Sequence, residues 1–496
     1  MRTNFVRTLL ITFAVFAGLF GLEFFLEWRA AGMPGTGDMS WVDVNNAKLV
    51  DILSPMARAY NNVLAMLIAT IGLAIPLTAN VHTPTLIEMF LRDRINQVVL
   101  LFMAFGAAHV LFVDYLIGPK FAPVWAFRLA VYLALAGWAL LIPYFFYVVR
   151  FLDPANIIRR VRDETERTVD QAGAGLDPEI AQQRIHSRLD QIGTIILKSL
   201  DRADRSVARD GVWTLKKLLD HYAERKGRMP AGWFKVDRAD FVGLSPEALE
   251  MINKDHTWFE MRVLQQLLLA YQHALGKASD TVPSMSDALR VITTKAHARG
   301  DAEVTRLGVR FFNNLLREAI KSKNIHAIYD VYHQYRVLAR DLCADAELVR
   351  SISRYFIYYA GMARNAGLGF VSQLAEYDLA YVVRRAYEAS SPAAADLLSD
   401  ALSMPNRAGN DLLLMAVKAK LQLGGFFMHK HKPDEAQRVR TALADVDRKA
   451  IDRAVDDMLA AEYSFFEVTD RQLNLEFVPP ERREPLQQFV ASLSVN

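Results

Sequence analysis

The chain has 496 residues, 52% of them hydrophobic, a formal net charge of +3 at pH 7 and a single cysteine. So small a positive balance gives no argument for nucleic acid as a partner, which requires a concentrated basic face, and none is expected. Cys343 alone excludes an intramolecular disulfide and a thiolate zinc site, and among Leu342, Ala344 and Leu348 it reads as a packed thiol.

The mean hydropathy of +0.10 averages two unlike parts. Leu, Ala, Phe and Val dominate before Arg150, and an ordinary charged chain follows it. A bilayer core about 30 Å thick takes roughly 20 apolar residues in a helix. Four segments meet that test: 5–26, 63–83, 97–118 and 124–149. The first is too long for the apolar region of a signal peptide. It is also followed by Glu27, Trp28 and Arg29 where a cleavage site needs small residues, so it reads as an uncleaved span. Pro76 and Pro143 each free a carbonyl within a span and allow a kink.

Basic residues collect in cytoplasmic loops. Here Arg2 and Arg7 precede the first span, Arg92 and Arg94 lie between the second and third, and Arg150, Arg159, Arg160 and Arg162 follow the fourth. The alternation predicts four crossings of a bacterial inner membrane with both termini cytoplasmic.

Within TPTLIEMFLRDRINQVVLLFMAFGAAHVLFVDYL, an apolar helix ends at Thr83-Pro84. A stretch of Phe90, Arg92, Asp93, Arg94, Gln97 and Leu100 then opens the next span. This pattern, with IPYFFYVVRFLDPANIIRRVRDE leaving the last span, resembles the bacterial membrane proteins of domain-of-unknown-function family 2254. The resemblance lies in the N-terminal part and implies a four-helix membrane region plus a soluble part, with no known substrate. The Ser-Pro patch frequent in that family's soluble part has as its nearest counterpart ADRSVARDGVW, which lacks both prolines.

Ionisable groups within spans are costly and are the informative residues. Counted by depth, Glu23, Glu27, Asp114 and Arg128 share a layer near the outer surface. Two readings follow: Arg128 pairs with Asp114 while the glutamates reach outer water, or the surplus acid attracts cations around an oligomer axis. His109 sits nearer the membrane middle. Thr78 and His82, with Thr85, form a polar stripe toward the inner end of the second span. Each is read either as an interhelical hydrogen-bonding group or as the lining of a hydrated path. Arg92, Asp93, Arg94, Arg159 and Arg160 are candidates for contact with lipid headgroups or with the soluble part.

After a stalk or linker over 151–200, residues 201–496 read as a cytoplasmic helical domain. Apolar residues recur at helical spacing over Pro178–Leu200, Ala203–Lys226, Pro246–Leu275 and Met285–His297. They recur again over Asp301–Lys321, His326–Leu342, Ala346–Ala366, Gly369–Ala389, Pro392–Leu402, Asp411–His429, Pro433–Ala444 and Ala450–Phe466. Short breaks between such segments suggest stacked helix pairs in the style of an α-solenoid. Residues 227–243 read as a short hairpin or a loop. Many tyrosines punctuate this train, most expected in the core and the rest lining a groove for a partner peptide.

No phosphate-binding loop, dinucleotide fingerprint, metalloprotease motif or nucleophile elbow occurs, so neither an enzyme activity nor a cofactor is expected. His429 and His431 with Asp434 and Glu435 are the one cluster of metal-ligand types, and their spacing does not converge. The fold class is therefore all-α. The leading functional reading is an oligomeric channel-like or transport-related assembly, expected to be a homo-oligomer in lipid. The alternative is a membrane-anchored scaffold or sensor that binds a cytoplasmic protein partner through its helical array.

Overall fold

A computed structural model describes residues 2–30, 46–81, 86–117, 123–241, 243–404, 410–464 and 474–493, with side chains from 14–29, 49–80 and, in the later part, 414 onward. Among the described residues the regular structure is helical, with no strand. The chain divides into two compact units, Met1–Ile157 and Ile158–Asn496.

The first unit contains α1 (Arg2–Ala30), α2 (Asn46–Val81), α3 (Leu86–Arg92), α4 (Arg94–Leu116) and α5 (Val124–Leu152). Three helices among the described residues are long and apolar enough to cross a membrane: α2 over Leu49–Asn80, α4 and α5. The sequence predicts four. The other expected span, 5–26, falls in α1, where side chains before Ala14 lie outside the described residues.

The expected span 63–83 is only the later part of α2, which starts at Asn46. Polar Asp51, Arg58, Asn61 and Asn62 hide the earlier turns from a hydropathy reading. Leu53, Ala57 and Tyr60 nevertheless fall on one helical face and are buried, with α2 packing on α4 and α5. At 1.5 Å per residue its 36 residues make about 54 Å of helix, well beyond the bilayer core. Both Pro55 and Pro76 are carried inside α2, and Pro143 inside α5, without ending either helix.

Buried residues make up 39% of the apolar window of α4, against 17% in α2 and 22% in α5, so α4 is the centre of this unit. The closest approach is made by glycine. The Tyr60 ring lies against Gly106 of α4 and Gly137 of α5: a methyl added at Gly106 would stand 2.9 Å from the phenol oxygen, and one at Gly137 would collide with the ring.

Helix α6 (Pro154–Gly173) begins in the first unit and lies mostly in the second. Then come α7 (Pro178–Asp201), α8 (Arg205–Ala223), α9 (Pro246–Asp255), α10 (Trp258–Lys277) and α11 (Val282–Ala298). They are followed by α12 (Ala302–Lys321), α13 (Ile325–Asp341), α14 (Ala346–Asn365), α15 (Gly369–Glu388) and α16 (Ala394–Ser403). The chain closes with α17 (Asn410–His429), α18 (Pro433–Leu443), α19 (Arg448–Ala460) and α20 (Pro480–Ala491).

Their neighbours follow a rule. One row, α7, α10, α12, α14 and α16, packs each helix on the next. A second row, α8, α11, α13, α15 and α17, does the same, and members of the two rows also pack on each other. The last helix of the second row, α17, receives α18, α19 and α20.

Six of these helices begin with their own cap. The side chains of Asp177, Asp204, Ser245, Asp301, Asn324 and Asp345 accept backbone N–H groups in the first turns of α7, α8, α9, α12, α13 and α14, a contact worth about 1 kcal/mol each.

One expectation needs correction here. The single helix expected over Pro246–Leu275 is two, because His256 takes a left-handed conformation, φ 54°, and caps α9. The segment around 227–243 makes the short 3-10 turns Lys226–Arg228 and Ala231–Phe234, with Trp233 fully buried. Gln182 fixes it from α7, donating to the carbonyls of Trp233 and Lys235 at 2.8 and 2.9 Å.

Candidate functional sites in the two units

In the membrane unit the polar side chains meet in pairs, each joining two helices. Glu23 Oε2 of α1 lies 2.6 Å from His109 Nε2 of α4. The imidazole is fully buried, with the rings of Phe20 and Phe105 at 5.3 and 6.2 Å. Its Nδ1 has no hydrogen-bond partner, so the bonded nitrogen is the one that donates when the ring is neutral.

One turn along α1, Glu27 Oε1 accepts the backbone N–H of Ala126 at 2.5 Å. Ala126 is in the first turn of α5, whose N-cap, Pro123, supplies no side-chain bond. The carboxylate therefore completes the start of another helix, where the macrodipole also favours an anion. Ser54 of α2 donates to Asp114 of α4 at 2.6 Å.

Glu23, Glu27 and His109 line a cleft of about 510 Å³ together with Phe20, Phe105 and Trp125. The sequence reading placed four charges in one layer; Glu23 and Glu27 meet at this cleft, whereas Asp114 is held by Ser54. The expected Arg128–Asp114 pair does not form, and the Arg128 guanidinium instead lies 5.0 Å from the centre of the Trp125 ring. The Glu23–His109 contact was missed although a depth count holds the signal. Glu23 stands seven residues before the last residue of α1, as His109 does before that of α4.

Thr78 donates to the Ala74 carbonyl of its own helix at 2.8 Å. His82 and Thr85 of the expected polar stripe lie outside the described residues. In the FLRDRINQ stretch, Asp93 Oδ1 caps α4 through the N–H groups of Ile95 and Asn96, each at 3.1 Å, and accepts the Tyr147 hydroxyl at 2.7 Å. Asn96 and Gln97 reach back to the carbonyls of Phe90 and Leu91 at 3.2 and 2.8 Å. The motif thus closes the α3–α4 turn from both sides. Arg92 pairs with Glu88 on the exposed side of α3 at 2.6 Å, Arg94 and Arg159 are exposed, and Arg160 is half-buried.

The second unit carries a larger concavity, about 750 Å³, along α12 between α14 on one side and α9 with the start of α10 on the other. Its lining holds four arginines, Arg306, Arg310, Arg317 and Arg354, against two acids, Asp255 and Glu303. Arg306 is paired with Glu303. Arg317 donates to the Tyr359 hydroxyl at 3.4 Å, and Arg310 reaches Met251 Sδ at 2.8 Å. Burial pushes the Tyr359 phenol up, with Arg317 partly offsetting it. Tyr358, 60% exposed, stands one turn beyond Arg354 on α14. Of the many tyrosines, Tyr332, Tyr335, Tyr359 and Tyr377 are core residues, as their helical spacing predicts. The groove itself could not be foreseen, because its residues come from four separate helices.

Residues 2–200 match the family model described as a predicted membrane protein, DUF2254. No curated protein and no solved structure matches the chain.

Proposed function

We propose that the protein is a membrane-anchored binding protein: its apolar helices, α1 included as a fourth crossing, hold it in the bacterial inner membrane with both termini cytoplasmic. In this reading the two rows of helices that follow form a solenoid-like array that receives a cytoplasmic protein. The observation that carries it is the 750 Å³ groove on α12, with Arg310, Arg317 and Arg354 making no ion pair with a described residue. Aromatic residues, Met and Arg are the side chains enriched where proteins meet. By contrast, Glu23, Glu27 and Asp114 are each bonded to a neighbouring helix, which makes them fasteners before they are ion ligands.

The test is photo-crosslinking in native membranes from a reactive residue placed at Tyr358. A discrete adduct that Arg354→Glu removes is expected. Failure to form one, or an adduct indifferent to that substitution, overturns the reading.

One observation favours a second function: the membrane cleft is lined by two carboxylates and an imidazole. In an oligomer with these helices around an axis, that layer would draw cations. Glu23→Gln with Glu27→Gln should then reduce ion flux in proteoliposomes, and flux equal to the unaltered protein removes this alternative.

A further inference from the structure

The groove in the second unit has a length and a charge pattern, and both constrain what fits it. Along α12 its lining runs through Glu303, Arg306, Leu307, Arg310, Phe311, Asn314 and Arg317. These positions recur at three and four residues, so one continuous stripe of the helix lines the groove for about 21 Å. The neighbours of α12 in its row, α10 and α14, stand to either side. An open trough of that shape, floored by a helix and walled by helices, is the setting in which an amphipathic helix lays down its apolar face.

Its lining combines apolar and cationic side chains. Met251, Met261, Leu307 and Phe311 supply an apolar floor, the two thioethers adding adaptability. Arg310, Arg317 and Arg354 line the same trough, and Arg354 and Arg310 are exposed. Because Glu303 is spent on Arg306, the cationic side is in excess and calls for acidic side chains on the occupant.

We infer that the groove binds an acidic amphipathic helix of a partner protein, about 14 residues long to match the open stripe. Its apolar side rests on Leu307, Phe311 and Met251, and its carboxylates face Arg310, Arg317 and Arg354. The inference rests on the binding-protein reading and adds the chemistry of the partner.

The experiment uses the full chain in nanodiscs of zwitterionic lipid, with empty nanodiscs as the blank. The probes are three fluorescein-labelled peptides of equal length. One has leucines at helical spacing with glutamates between, one has lysines in place of the glutamates, and one has the acidic composition with leucines scattered. Anisotropy should show the first binding at least about tenfold more tightly than the other two. The double variant Arg310→Glu, Arg354→Glu should reverse the acid-over-base preference, while Arg354→Lys keeps it. Equal binding of acidic and basic peptides, a preference untouched by charge reversal, or no binding overturns the inference. Preferential binding of the scattered acidic peptide, or displacement by inorganic triphosphate alone, does so too, by assigning the groove to an extended segment or a small anion. A Tyr358 adduct without peptide binding leaves the binding-protein reading standing and removes only the helix; the absence of both removes the reading and the inference with it.

Discussion

The two units complete the starts of their helices differently: six helices of the second carry their own side-chain cap, whereas in the first α4 carries one and α5 borrows one. In the second unit helices such as α7, α12 and α14 begin with an aspartate that caps its own first turn. In the membrane unit α5 begins at Pro123 without such a cap and takes one from Glu27 of α1. Self-capping makes a helix locally complete, whereas a borrowed cap makes two helices dependent on each other. The second unit can also leave a buried acid poorly served. Glu376 of α15 has its Oε2 buried without a hydrogen-bond partner, while the three membrane carboxylates all have one.

The sharpest way to test that contrast is Glu376→Gln. Burial lifts the Glu376 carboxyl from 4.5 to about 7, with Lys420 and Arg364 offsetting part of the rise. Between those values the folded protein keeps a proton that the unfolded chain has lost, so stability falls as the pH rises from 4.5 to about 7. Thermal or denaturant unfolding of the second unit within the full chain should show the amide variant more stable at pH 8, by up to about 3 kcal/mol. Its advantage should vanish below pH 4.5. An unchanged pH profile would mean that Glu376 is served after all.

Gly137→Ala comes next. The new methyl meets the Tyr60 ring, and such overpacking costs about 1–3 kcal/mol. Loss of resistance to denaturing detergent should report it, and Tyr60→Phe, which removes only the hydroxyl, should recover little. His109→Leu should cost less, about 0.5–2 kcal/mol, the range for an interhelical hydrogen bond in a membrane. Glu23→Gln in the same background should restore part of it by neutralising the acid left behind. If His109→Leu proves neutral, the fastening role falls and the ion-path reading gains. The smallest effect belongs to the exposed surface of the second unit: Arg350→Ala breaks a pair with Asp396 and should change stability by under about 0.5 kcal/mol.

The all-helical class and most helix positions were legible because apolar residues at three- and four-residue spacing survive any tertiary arrangement. What escaped had a physical reason in each case. The early turns of α2 are polar on the face turned away from α4 and α5, so a hydropathy average starts the helix too late. Helix α20 carries Pro480, Pro485 and a run of charges, PERREP, and is held by Leu486, Phe489 and Val490 against its neighbour α17, where Gly424 and Gly425 allow the approach. At the candidate sites the sequence named residues but not the partners they meet. Glu27 bonds a backbone group, which no pattern of side chains announces, and Asp114 takes a serine from the unrecognised part of α2 in place of Arg128.

One feature of α7 bears on how the chain can be divided. Ile185, Leu189, Ile192 and Ile196 are buried, with Gly211 of α8 set against Ile196 and Gly193 against Gln266 of α10. The family match ends at residue 200, inside α7, while the partners of that face all come later. The boundary of the recognised family is therefore not a seam in the molecule. Severed there, the N-terminal piece would carry a bare apolar stripe into solution; severed between Ile157 and Ile158, where the two compact units meet, that stripe stays with the helices that cover it.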